Sequence, residues 1–94
     1  MKVLAIHCKS CNDTIYSRAH YDCRECTCFN DTPDNKGCYI DGGQDEGSPI
    51  SMGGHADSYF TLTIDLGDEV TKEVLYADWN NETDLYGLIK NHVI

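Results

Sequence analysis

Residues 7–28, HCKSCNDTIYSRAHYDCRECTC, carry five of the chain's six cysteines. Cys8-Lys9-Ser10-Cys11 is a C-x-x-C pair, a spacing that lets two sulfurs converge on one ion across a tight turn while backbone amides face the thiolates. A four-coordinate site needs a second pair, and two are on offer. Cys23 and Cys26 give C-x2-C-x11-C-x2-C, whereas Cys26 and Cys28 give C-x2-C-x14-C-x-C. Either choice makes this stretch a metal-clamped knuckle, and spacing alone does not decide between them.

Working outward, the 94-residue length predicts one small domain (residues 1–94). In this size range a hydrophobic core leaves little surplus stability, and a disulfide or metal staple is common. The opening MKVLAIHC has four apolar residues, Val3 to Ile6, before a histidine and a cysteine, too few for a signal-peptide core. No later stretch is long enough to span a membrane. The expectation is a soluble, cytoplasmic protein, a setting in which clustered cysteines hold metal more often than they form disulfides. The glycosylation sequons at Asn12, Asn30 and Asn81 are then coincidental.

The formal charge is −9, with seven Lys and Arg against sixteen Asp and Glu. Nucleic-acid binders present a basic face that displaces counterions from phosphates, so direct DNA or RNA binding is not expected. After Gly47 only Lys72 and Lys90 stand against eight acids, and a partner of that half would be a basic surface or water.

In chain order, Val3 to Ile6 predicts a strand leading into Cys8, and Thr14 to Tyr16 favours extended structure, giving a hairpin closed over the metal. His7 either contacts a ligand sulfur or fills a strand position, and His20 belongs to an exposed loop. Residues 30–35, NDTPDN, are turn chemistry. Gly37 to Ile40 predicts a strand with Cys38 as a small core residue, ended by Asp41-Gly42-Gly43. Residues 44–56 predict a Gly-rich loop, in which Gly53-Gly54 lacks the Lys-Ser/Thr of a P-loop. Asp41, Asp45 and Glu46 lack EF-hand spacing.

Residues 57–94 predict a ββα unit. Phe60, Leu62, Ile64 and Leu66 alternate with Tyr59, Thr61, Thr63 and Asp65, the period of a half-buried strand. Residues 70–79 admit a return strand or a short helix with Val70, Val74 and Ala77 on one face. The Val, Tyr and Trp content favours the strand. Asn81 then caps a terminal helix with Glu82 and Asp84 in its first turn and Leu85, Leu88, Ile89 and His92 on its apolar face. The architecture expected is one α+β domain: an N-terminal zinc knuckle or ribbon on short antiparallel hairpins (residues 1–43), then a hairpin and a C-terminal helix.

The first half resembles an uncharacterised family of short cysteine-knuckle, zinc-ribbon-like proteins, mostly from bacteriophages and Gram-positive bacteria. Its pattern runs C-K-x-C-x-D-x-I-x-S, His-Asp-Phe, C-x-C and V-D-G-G. Here Cys8, Lys9, Cys11, Asp13, Ile15 and Ser17 fit the first block, Asp22 the second, Cys26 and Cys28 the third, and Asp41-Gly42-Gly43 the last. The likeness covers about residues 1–45. Cys23 stands where the family has an aromatic, Tyr21 replaces the histidine, and Phe29 replaces a glycine before an inserted segment, Asn30 to Lys36. The resemblance implies Cys8, Cys11, Cys26 and Cys28 as metal ligands, with Cys23 an alternate.

Zinc is the expected ion because it is the commoner occupant of such knuckles, and iron suits the same four-sulfur set. A dithiol redox role is the competing reading of C-x-x-C, but neither pair is followed by a helical pattern. A closed four-cysteine site, with no Ser/His/Asp set, paired carboxylates or cofactor fingerprint in the chain, predicts a protein that is not an enzyme. The functional expectation is an acidic, metal-stabilised binding protein that docks on a protein partner, with Tyr21, Tyr59, Tyr76 and Trp79 as anchors. The resemblance implies a phage protein that inhibits or modulates a host factor in the host cytoplasm. The alternatives are a small-molecule sequestering protein that closes the loop Gln44 to His55 over its ligand, and a thiolate redox protein.

Overall fold

Strand β1 (Lys2–Cys8) is the spine of the molecule, because both of its faces are covered. Ile6 and Cys8 point into one core, and Val3 and Ala5 into another. A strand buried on both sides reads as a continuous apolar run, which is why VLAI does not alternate. The computed structural model describes residues 1–30, 32–43, 49–54 and 57–94.

The first sheet has the order β6-β1-β2-β7 and is antiparallel throughout. Strand β2 (Thr14–Ile15) returns on β1 with Ile6 opposite Ile15, the predicted hairpin. The second sheet contains β3 (Arg24–Glu25), β4 (Cys38–Asp41) and β5 (Ser51–Gly54), in the order β3-β4-β5. Between the sheets lies the first core, Ile6, Cys8, Ile15, Cys26, Cys38 and Ile40. The second core, Val3, Ala5, Tyr16, Val70 and Leu75, lies on the other face of β1 and takes in the helix α1 (Lys72–Asn80). The domain is α+β, with the cysteines gathered in its N-terminal half.

Three local expectations are corrected. Strand β6 (Tyr59–Asp65) shows the predicted alternation, but its partner is β1, over the full register from Lys2–Asp65 to Cys8–Tyr59. Although β6 ends the sheet with one edge unpaired among the described residues, no return strand forms at residues 70–79. Thr71 caps a helix there instead, its hydroxyl accepting from Val74 N at 3.3 Å, with Glu73 placed to favour the helix dipole. The helix turns Leu75 and Asp78 inward, not Ala77.

The helix expected after Asn81 is also absent. Asn81 is the C-cap of α1, and residues 82–87 form a turn before the short strand β7 (Leu88–Ile89). The cause is Asp78, whose buried carboxylate accepts from Thr83 Oγ1 at 2.6 Å, Leu85 N at 3.0 Å and Tyr86 N at 3.0 Å. Those amides are bound to a side chain and so are withheld from a helical ladder. Gly87, at φ 98°, completes the reversal, and a Cβ there would lie 2.9 Å from Arg24 Nε. Leu85, expected on an apolar face, is exposed. Finally, Ser51–Gly54 is strand where a loop was expected, while Gln44–Ser48, His55 and Ala56 lie outside the described residues.

Asp78 also anchors the N-terminal half. Arg18, itself buried, donates from Nη1 to Asp78 at 2.6 Å and from Nε to Asp22 at 2.8 Å, and reaches Thr83 O at 2.8 Å. Burial alone would raise the Asp78 carboxyl. The donors of Thr83, Leu85, Arg18 and Tyr86 outweigh that and hold it well below the usual carboxylate range.

Candidate metal centre

Two turns deliver two cysteines each. At the end of β1 the chain folds back so that Cys8 O accepts from Asn12 N at 2.8 Å and Cys8 N donates to Asp13 O at 2.8 Å. Asn12 takes the left-handed conformation, φ 63°, that this turn demands and that Asn tolerates better than most residues. The second turn, Cys26 to Phe29, closes with Phe29 N on Cys26 O at 3.1 Å, and Cys26 N bonds Cys38 O at 3.1 Å. Gly37 allows β4 to pass beside it: a Cβ there would lie 2.5 Å from Phe29 Cα and 2.9 Å from Cys26 Sγ.

Asp13 joins the two turns. Its buried carboxylate accepts from Thr27 N at 2.8 Å and from the Thr27 hydroxyl, between the two cysteines of the second pair. These donors overcome the effect of burial and lower its pKa.

The result is a cluster in which the Sγ atoms of Cys8, Cys11, Cys26 and Cys28 all lie within 4.8 Å of one another. Cys8 and Cys28 sulfurs are 3.5 Å apart and Cys26 and Cys28 sulfurs 3.6 Å. Tetrahedral zinc with bonds of about 2.3 Å sets its sulfurs about 3.8 Å apart, so the spacing suits one such ion. Backbone amides support the sulfurs: Cys38 N donates to Cys26 Sγ at 3.2 Å. Burial raises the Cys8 thiol, but the amides of Cys11 and Ser10 and the neighbouring thiols more than reverse this. Cys28 is pushed far up, first by burial and then by competition with Cys8, Cys26 and Cys11. Four thiolates this close repel one another, and a cation at their centre removes the conflict. Four cysteines in one cluster can hold a metal ion, and the donor set fits.

The other candidates fall elsewhere. Cys23 is exposed and outside the four-sulfur group, its thiol raised by burial and by Asp41, Glu25 and Asp22. Cys38 is buried in β4 against Cys26 and Cys8, a core position as expected. His7 fills a strand position and bonds Thr14 rather than a sulfur, and His20 is exposed. Of the aromatics, Tyr21 and Tyr76 are 77% and 53% exposed, Tyr59 packs on the first core, and Trp79 lies 5.7 Å from Tyr76. Of the loop Gln44 to His55, Gln44–Ser48 and His55 lie outside the described residues, Asp45 and Glu46 among them, and Ser51–Gly54 is strand β5. Spacing did not reveal the bridging role of Asp13 or the close passage at Gly37; the acid two positions after Cys11 was the only sequence signal of the first.

The fold and site thus define a small α+β domain with a four-cysteine cluster able to bind metal. Comparisons with protein-family models, with curated proteins and with solved structures found no match. Among the described residues, no helix is long and apolar enough to cross a membrane.

Proposed function

We propose that this chain is a metal-stabilised binding protein: Cys8, Cys11, Cys26 and Cys28 hold one zinc ion as a structural staple, and the surface around it contacts a protein partner. The convergence of four sulfurs from two turns carries this reading. The set contains neither histidine nor carboxylate, so a tetrahedral ion held by all four sulfurs keeps no open position for substrate, which favours a structural over a catalytic role. Iron is the alternative occupant of the same sulfurs. Native mass spectrometry before and after chelation tests the staple. One ion is expected per chain, with a large fall in melting temperature on its removal; an unchanged melting temperature overturns the proposal.

The partner reading rests on the −9 charge and the exposed Tyr21 and Tyr76. In the form the family resemblance implies, the chain is phage-encoded and modulates a host protein. Affinity purification from the native host tests it. A basic partner whose binding weakens with salt and with Tyr76→Ala supports it, and a retained small molecule with no partner favours sequestration instead.

A further inference from the structure

His7 follows Val3 and Ala5 on one face of β1, and the pairing of strands sets Phe60 on one side of it and Thr14 on the other. The C-terminal segment brings His92 to the same row, with its amide on Asn12 O at 2.9 Å. Thr14 Oγ1 lies 2.9 Å from Nδ1 of His7 and 2.7 Å from Nδ1 of His92. His7, Lys9, Asn12, Phe60, Asn91 and His92 line an open cleft of about 560 Å³. That volume is within the range of small-molecule sites, roughly 300–1,000 Å³.

Two observations indicate what the cleft would take. Among the described residues no Asp or Glu lines it, Val93 and Ile94 complete its wall, and Lys9 supplies a cation, its ammonium 6.0 Å from the centre of the Phe60 ring. The second is proton bookkeeping at Thr14. Its side chain is fully buried, and among the described residues the hydrogen bonds of its hydroxyl are to the two imidazoles. The hydroxyl has one proton, which goes to Nδ1 of one ring, and that ring then carries its own proton on Nε2. The other ring donates from Nδ1 to the Thr14 oxygen. Thr14 is not among the lining residues whereas both histidines are, and each ring meets Thr14 through Nδ1, which leaves Nε2 as its other polar atom.

A pair of metal-ligating histidines would need both Nε2 lone pairs and hence both protons on Nδ1. The buried Thr14 proton would then have no acceptor. One imidazole of the lining therefore carries its proton on Nε2, in a wall shared with a lysine and two carboxamides.

We propose that this cleft binds a small organic anion, its oxyanion held by Lys9 and an imidazole N–H and its apolar body resting on Phe60. The charge-assisted donors fit carboxylate and phosphate alike. His7, Lys9 and Asn12 flank the ligand turn of Cys8 and Cys11, so the test is run on the metal-loaded full chain.

Labelled protein is titrated by NMR with benzoate, phenyl phosphate, inorganic phosphate and neutral phenol. The expected result is saturable shifts at residues 7–9, 12, 60, 91 and 92 with an aromatic anion, binding tighter than inorganic phosphate and absent with phenol. The tighter of benzoate and phenyl phosphate identifies the oxyanion. Lys9→Met and Thr14→Val are each expected to weaken binding about tenfold while retaining the metal. His92→Gln serves in place of Thr14→Val if that variant does not fold. Absence of saturable shifts below about 10 mM anion overturns the proposal. So do unchanged affinities in the variants, or shifts of these residues with excess Zn²⁺ and not with anions.

Discussion

Two cross-links hold the two cores, and they solve the same problem with opposite chemistry. The first would join Cys8 and Cys11 to Cys26 and Cys28, four groups of like charge when ionised, through a cation from outside. The second joins Arg18 to Asp22 and Asp78, a cation between two anions with further donors from Thr83, Leu85 and Tyr86, complete within the chain. Cysteine spacing advertises the first link. The second is made from residue types that usually sit on surfaces, two of them sixty positions apart, and nothing in the sequence announces it.

The largest effect is expected from the outside cation. Chelation, or Cys26→Ser, should abolish cooperative folding of the first core, since structural zinc contributes an apparent 10–16 kcal/mol in zinc-finger peptides, an order-of-magnitude guide here (~10 kcal/mol). Loss of dispersed amide signals for residues 8–15 and 24–40 would show it.

Next comes the internal link. Asp78→Ala leaves the buried Arg18 short of a partner and is expected to cost about 3–5 kcal/mol in urea unfolding of the metal-loaded protein, with the metal retained. Acid distinguishes this link further. The Asp78 carboxyl titrates below its unfolded value, so its contribution is fully present above about pH 4 and is lost as pH falls through the folded value. Asp78→Asn lacks this linkage, and its stability at constant metal loading should fall less steeply with acid than that of the parent chain. Parallel curves would show that Asp78 is not the titrating group.

A smaller effect is expected where one side chain bridges the turns of the first link. Asp13→Asn replaces one acceptor oxygen and the charge that binds Thr27, and metal affinity should drop about 10- to 100-fold in competition with a chromophoric chelator. The smallest comes from Cys23→Ser, which changes an exposed side chain outside the cluster and should move stability by no more than about 0.5 kcal/mol, metal content unchanged. Cys28→Ser at the same level of metal is the contrast, because it removes one of the four sulfurs.

The same division runs through the elements. Strands β1 and β6, the β1–β2 hairpin and the strand at Cys38 were legible because β-branched runs and period-two alternation are local properties. Residues 70–79 were misread because their Val, Tyr and Trp content describes a strand, yet the segment is a helix capped by Thr71 whose Leu75 packs with Val3, Ala5 and Tyr16 in the second core. Residues 81–92 were misread because Asn81, Glu82 and Asp84 make a plausible helix start, whereas Asp78 binds the amides of Leu85 and Tyr86. Local propensity lost in both places to a partner supplied from elsewhere.

By itself, then, the sequence determined the class of the domain, the strands β1, β2, β4 and β6 but not β3, and a cysteine-rich knuckle, because spacing and periodicity act over a few residues. Only the tertiary structure decided which four sulfurs converge, that Cys23 is left outside, that α1 precedes the Asp78 turn, and that His7, Thr14 and His92 share one hydroxyl. Each of these depends on where distant strands register against β1, and that register is set by the two cores closing at once.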